Sequence, residues 1–216
     1  MTNLLRKEFA LAMHPITPLM LALSAMVLIP NYPYIVIFFY TAMSIFFTCL
    51  MGRENNDIVY SINLPVSKES IVRARFAFAI ILEMFQMTIM IPFTVFSHRL
   101  NPLGNQAGMD ANLALYGLAF IVYGIFNLVF FYSYYKDVAK VGIAFLKSSA
   151  VLLVLACLDP VSTYAIPFVK DVLDTPGTEN FMVKIIFLVA GVAIFVVLTG
   201  ATYKISVRNF EEQDLN

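Results

Sequence analysis

One carboxylate lies deep in an apolar stretch: Glu83, in FAFAIILEMFQMTIMIPF at residues 76–93. Gln86 follows three residues later, on the same face of a helix. A carboxylate at such a position is costly and faces either a cavity or a polar partner. One reading places Glu83 and Gln86 on a translocation path or gate. The other makes them interhelical hydrogen-bonding groups, with Glu83 close enough to an interface to reach water, about two turns past Arg75. Asn127, in a later apolar run, carries the same two readings.

Other chemistry has little to work with. There is no GxxxxGK[ST] loop for a nucleotide phosphate, no HExxH pair and no GxSxG nucleophile elbow. The histidines are His14 and His98, neither at mid-membrane, so a histidine-built zinc or haem site is not expected. Cys49 and Cys157 sit in apolar runs without a CxxC pair and read as small buried side chains. No catalytic residue and no metal ligand set is assigned, and the chain reads as a non-enzyme.

The elements that must position these groups follow from composition. The 216 residues are 60% hydrophobic and 13% charged, half the charge of a soluble domain. An integral membrane protein is the expectation. Net charge is zero, which gives no reason to expect nucleic acid. Apolar runs at residues 16–29, 34–51, 76–97, 113–135, 141–158 and 181–203 give six candidate spans. The first is short and must borrow residues, tilt or thin the bilayer. PNYP at residues 30–33 marks a tight turn before the second.

Lys and Arg set the orientation. With the N-terminus inside, Arg6, Lys7, Arg53, Lys68, Arg73, Arg75, Lys136, Lys140, Lys147, Lys204 and Arg208 fall inside, against Arg99, Lys170 and Lys184 outside. Both termini are therefore expected in the cytoplasm. The outer loops, with Asp110, Asp159, Asp171, Asp174 and Glu179, read as solvated, and Asp159–Pro160 reads as the outer cap of the fifth helix.

Residues 2–13, TNLLRKEFALAM, form an amphipathic interfacial helix on a 100° wheel. Leu4, Leu5, Phe9, Ala12 and Met13 share one half and Asn3, Arg6 and Lys7 the other; Glu8 alone is out of place. His14–Pro15 ends it. The expected organisation is an interfacial helix at 1–15, a six-helix domain at 16–203 with a cytoplasmic loop at 52–75, and a tail at 204–216.

That loop is the densest cluster of charge in the chain, RENNDIVYSINLPVSKESIVRAR at residues 53–75. Asn55 and Asn56 suit an N-cap and Asp57 the first turn of a short helix, with Ile58 and Ile62 on one side. Pro65 ends it, because Leu64 before a proline is driven to an extended conformation. Ser67 is a fresh N-cap from which the third span extends below the membrane, with Arg73 and Arg75 at the lipid phosphates. The interleaved Ile58, Val59, Tyr60, Ile62, Leu64 and Val66 suit a docking surface for a soluble partner.

An amphipathic N-terminal helix, six spans, both ends inside and LPVSKESIVRAR before the third span resemble the permease subunits of type-2 ABC exporters. Many of these carry an LP[VI]S[RK]xxI…[RK] string at this place. The chain is most similar to the short Gram-positive permeases that export amphipathic peptides such as phenol-soluble modulins, or that give self-protection against bacteriocins. The resemblance implies an all-α integral membrane fold with an elbow helix at residues 2–13 and a coupling helix at 56–63. Asp57, Ile58, Tyr60 and Ile62 would meet a separate ABC ATPase subunit, and Leu64, Pro65, Val66, Ser67 and Lys68 would form the corner to the third span. It implies a second permease, identical or homologous, membrane lipid as the surrounding partner, and location in the plasma membrane. ATP and Mg would be bound by the ATPase, and no cofactor by this chain. YAIPFVKDVL, between the fifth and sixth spans, would be a short re-entrant hairpin. Two other classes remain open on the residues themselves: a stand-alone secondary transporter or channel using Glu83, and an immunity protein that binds a toxin.

Overall fold

The structure is a computed structural model and describes residues 2–102, 104–175 and 179–213. It is all-helical, with no strand among the described residues. Helix α1 (Thr2–Lys7) runs on as a π-helical turn, Glu8–Ala12. Met13 is extended, and Pro15 and Pro18 redirect the chain into α2 (Thr17–Ala22), which tightens to a 3-10 helix at Leu23–Leu28. Then follow α3 (Ile35–Glu54), α4 (Asp57–Ile62), α5 (Lys68–Leu100), α6 (Leu113–Tyr134), α7 (Val141–Ala165), a π-helical turn at Val169–Leu173, and α8 (Phe181–Glu211).

Five helices are long and apolar enough to cross a membrane: α3, α5, α6, α7 with its preceding turn, and α8. A sixth is counted only if Asn3–Ala12 and Thr17–Leu28 together make one span, and these are bent by 89°. The Thr17–Leu28 piece alone falls well short of the ~30 Å hydrocarbon thickness. The tight turn expected at PNYP is present, with Asn31 at φ 55°.

Helix α6 is the centre. Tyr123, Phe126, Phe130, Phe131 and Tyr134 are all fully enclosed, and the rings of Phe126, Phe130 and Tyr134 stack in succession at 5.1 and 5.9 Å. Helix α8 lies against it so closely that a Cβ on Gly191 would collide with the Gly117 carbonyl. Glycine is what permits this approach of two backbones. The far faces of α7 and α8, with Leu146, Leu153, Ile186 and Val197 about two-thirds exposed, suit hydrocarbon.

Two expectations need correction. Helix α7 does not stop at Asp159–Pro160; it continues to Ala165. A proline inside a helix forfeits one backbone hydrogen bond, and the helix carries on past it. Asp159 is therefore not a cap. Its carboxylate accepts from Met109 N at 3.3 and 3.4 Å.

The loop at 104–112 is likewise mostly buried rather than solvated, with Gln106 exposed. Asp110 is 6% and Asp159 4% exposed. Asp110 N donates to Asp174 Oδ1 at 2.6 Å, and the Asp110 carboxylate accepts from Asn105 N. Asn112 caps α6 through Ala114 N and Leu115 N while donating to the Leu173 carbonyl at 2.8 Å. Gly108, at φ 147°, passes so close to Asp159 that a side chain there would strike the carboxylate. Together these residues form a packed cap at the end opposite α4. Helix α8 also runs through most of the expected tail, to Glu211.

Candidate functional site

Helix α4 is the expected docking element. It begins at Asp57, as the sequence suggests, with Asn56 preceding it in the left-handed region and making no side-chain cap. Asparagine tolerates that conformation well. Ser67 caps α5 through its Oγ, which accepts from Ser70 N at 3.2 Å.

The residues expected in the docking surface divide between two faces. Ile58 is 8% exposed and belongs to the core; Ile62 packs against that core. The side with Ile58 and Ile62 thus faces the bundle, because a two-turn helix lying on a membrane domain buries its apolar stripe inward. Tyr60 is 63% and Val59 47% exposed, and they stand on the open side. Leu64, Pro65, Val66 and Ser67 line a groove beside the first helix that also takes in Leu4, Lys7, Leu11 and Tyr60.

Asp57 points inward. Its Oδ1 lies 2.7 Å from Lys7 Nζ and its Oδ2 2.6 Å from Arg75 Nη2. Lys7 also donates to Ser61 Oγ on α4 at 2.8 Å. Arg75 Nε is 2.9 Å from Glu8 Oε2, and Lys7 Nζ is 3.4 Å from Glu8 Oε1. Two acids and two bases from three elements thus close one network. Its centre, Arg75 and Glu8, is enclosed, at 3% and 1% side-chain exposure. Arg75 is therefore not at lipid phosphates: its charge is neutralised inside the fold, which a buried charge requires. Arg73 does stay exposed, paired with Glu69 four residues back. The amphipathic pattern alone gives Glu8 no role. The signal was present, since Glu8 is the one residue off the amphipathic pattern of its helix.

Lys68 also turns inward, toward the chain's own end. Its Nζ donates to the carbonyls of Glu211 at 3.2 Å and Gln213 at 2.8 Å, at the C-terminus of α8. A lysine there satisfies orphan carbonyls and complements the helix dipole. Gln213 Nε2 donates to the Tyr135 carbonyl at 2.6 Å, and Phe210 beneath is fully enclosed. The corner after α4 is thereby fastened to α5, α6 and α8.

The structure brings the three groups expected within the spans together in one buried layer. Asn127 Nδ2 donates to Glu83 Oε2 at 3.2 Å and to Thr199 Oγ1 at 3.3 Å. Gln86 Oε1 accepts from Thr41 Oγ1 at 2.5 Å and from the Tyr123 hydroxyl, and Gln86 Nε2 donates to the Ile37 carbonyl at 2.9 Å. The layer stitches α3, α5, α6 and α8. Glu83, Gln86 and Asn127 are fully buried, and Glu83 Oε1 and Asn127 Oδ1 have no hydrogen-bond partner among the described residues. Thr41, Tyr123 and Thr199 were missed because each looks, in sequence, like an ordinary span residue.

In the cap at the other end, burial pushes the Asp174 carboxyl up to about 7 and raises Asp110 from its ordinary value. No group of three or more His, Cys, Asp or Glu suited to a metal ion occurs among the described residues.

Compared with known proteins, residues 3–211 match the family model described as ABC-2 family transporter protein. No curated protein and no solved structure matches the chain.

Proposed function

The chain belongs to the ABC-2 family of transporter proteins, a multi-pass membrane component of transport, and from that premise we propose that it is the permease subunit of an ATP-driven exporter. ATP is bound and hydrolysed in a separate ATPase subunit, with Mg, and this chain carries no catalysis of its own. Helix α4 is the coupling helix and residues 2–13 are the elbow helix. Both termini and α4 lie in the cytoplasm, and the complex sits in the plasma membrane as two permeases, identical or homologous, on two ATPases. The cargo is an amphipathic molecule; similarity to short Gram-positive permeases makes antimicrobial or toxin peptides one such class.

The observation that carries this reading is the two-sided character of α4. Its inner side is tied by Asp57 to the first helix and to α5. Its outer side offers Tyr60 and Val59, which the described residues leave largely exposed. A push on the outer side is therefore delivered to α5 and to the elbow helix together.

The test is copurification. The chain extracted from membranes is expected to bring an ATPase subunit with it, and Tyr60→Asp with Val59→Asp to release that subunit while membrane insertion persists. An ATPase that stays bound to this double variant removes α4 as the docking element. If no ATPase accompanies the parent chain, the permease reading itself fails.

A further inference from the structure

One face of α5 carries Arg73, Phe76, Ala77 and Ile80 at helical spacing. Facing it, α8 presents Phe195, Thr199, Gly200 and Tyr203. Between the two faces lies an open furrow. Phe76 and Phe195 make its floor, 3% and 6% exposed, and Gly200 leaves it open, since a Cβ there would meet nothing within 4 Å.

The charged groups of the furrow stand at one end. There Tyr203 donates to Glu69 Oε1 at 2.9 Å, Arg73 Nε donates to the Tyr203 hydroxyl at 3.4 Å, and Arg73 Nη2 bonds Glu69. The Arg73 side chain remains 46% exposed. Those bonds use two of the roughly five N–H donors of a guanidinium. Lys204, the next residue after Tyr203, is also exposed.

We infer that this furrow binds a membrane phospholipid from the leaflet on the α4 side, with the phosphate on Arg73 and one acyl chain along Phe76, Ile80 and Phe195. Charge chooses the head: Arg73 keeps unused N–H donors beyond its bonds to Glu69 and Tyr203, exposed Lys204 adds a further cation beside them, and a guanidinium holds phosphate through paired hydrogen bonds. The lining chooses the tail: beyond the Glu69–Tyr203 hydrogen bond that joins the two helices at the mouth, Phe76, Ala77, Ile80, Phe195 and Val196 offer an apolar wall that suits a hydrocarbon chain. From Arg73 to Ile80 the wall is about 10 Å long at helical rise, the scale of an acyl chain segment. The site goes beyond the proposed export role and does not depend on it. Its occupant would wedge the start of α5 and the end of α8, the two helix ends that Lys68 fastens.

The experiment uses the permease alone in phosphatidylcholine nanodiscs, with a phosphatidylglycerol probe carrying a diazirine in one acyl chain. Photolysis is expected to label residues 73–80 and 195–203. Gly200→Trp and, from the opposite wall, Ala77→Trp are each expected to lower that labelling by about tenfold or more. Circular dichroism checks that both remain folded. Arg73→Gln is expected to lower labelling by phosphatidylglycerol and to leave a neutral diacylglycerol probe with the same diazirine unchanged. Labelling that survives both tryptophans overturns the site, and equal loss of both probes in Arg73→Gln overturns the role of the phosphate. Protection of the furrow by a second copy of the chain, or by an added amphipathic peptide in place of lipid, overturns the choice of occupant. No ATPase is present, so a failure here leaves the copurification test untouched.

Discussion

Arg75 on α5 and Glu8 on the first helix stand 2.9 Å apart, both almost wholly enclosed, and Asp57 of α4 reaches the same guanidinium at 2.6 Å. One arginine thus joins three elements that are distant in sequence. The pair explains why an otherwise regular amphipathic helix carries an acid on its apolar side.

Breaking that pair leaves buried charge behind. Arg75→Met is expected to cost about 3–5 kcal/mol, because Glu8 loses its closest partner and Asp57 one of two. Thermal unfolding of the solubilised chain reads this. Changing Arg75 and Glu8 together to Met is expected to recover part of the loss, as an apolar pair of similar volume often does. An Arg75→Met chain as stable as the parent would sink the assignment.

Ile58 and Tyr60 are neighbours on α4 with opposite surroundings. Ile58→Asp places a carboxylate at an 8% exposed core position and is expected to lower stability by about 3 kcal/mol or more. Tyr60→Asp is expected to leave the unfolding midpoint near that of the parent. Equal midpoints for the two variants would show that α4 does not lie as described.

The contact of α6 with α8 leaves no room for a methyl group. Gly191→Ala must push the helices apart at the Gly117 carbonyl and is expected to cost about 1–3 kcal/mol. Gly200→Ala, where the new Cβ meets nothing within 4 Å, is the control and is expected to be close to neutral. A loss in the control as large as that at Gly191 would refute the packing argument.

The cap opposite α4 is expected to loosen as pH rises. Burial raises Asp174 from 3.8 to about 7, so the packed cap binds a proton more readily than the open one. The stabilisation this gives is complete below about pH 4, declines as pH climbs, and is gone above about 7. Asp110 shifts in the same direction; its ionised form is favoured by His98 and Lys184. Asp159 adds repulsion at Asp174, against attraction from Lys184. Hydrogen exchange of the Met109 and Asp110 amides, corrected for intrinsic pH dependence, is expected to quicken between pH 5 and 7 and then level off. Slower exchange across that interval would reverse the sign.

Glu83→Gln keeps an acceptor for Asn127 and removes the ionisable group. ATP-driven transport is expected to survive it in reconstituted vesicles. Transport that instead follows an ion gradient and disappears with this substitution would favour a secondary transporter.

The apolar runs made the helices legible, because hydrocarbon solvation acts on each segment alone. Ser67 as a cap and the break at His14–Pro15 were readable for the same reason: both are decided by near neighbours. The shortness of the first membrane segment was readable too, from its length. Partners far along the chain were not. Lys68 reads as a surface cation until the end of α8 is folded against it, and Asp159 reads as a helix end until a loop fifty residues earlier lays the Met109 amide on the carboxylate. Ile58 reads in sequence as a docking anchor and turns out to be core, because periodicity cannot say which side of a helix meets the bundle. The Glu83 layer was half legible: the rare carboxylate announced itself, while Tyr123 and Thr41, which complete it, look like any span residue.

The Lys7–Asp57 link joins residues fifty positions apart, and this sets an order of events during synthesis. The first helix leaves the ribosome with its acid and its lysine long before either receives its counterpart. Its charges must stay solvated until the next hairpin and the start of α5 have emerged. Only then can Arg75 draw Glu8 under cover.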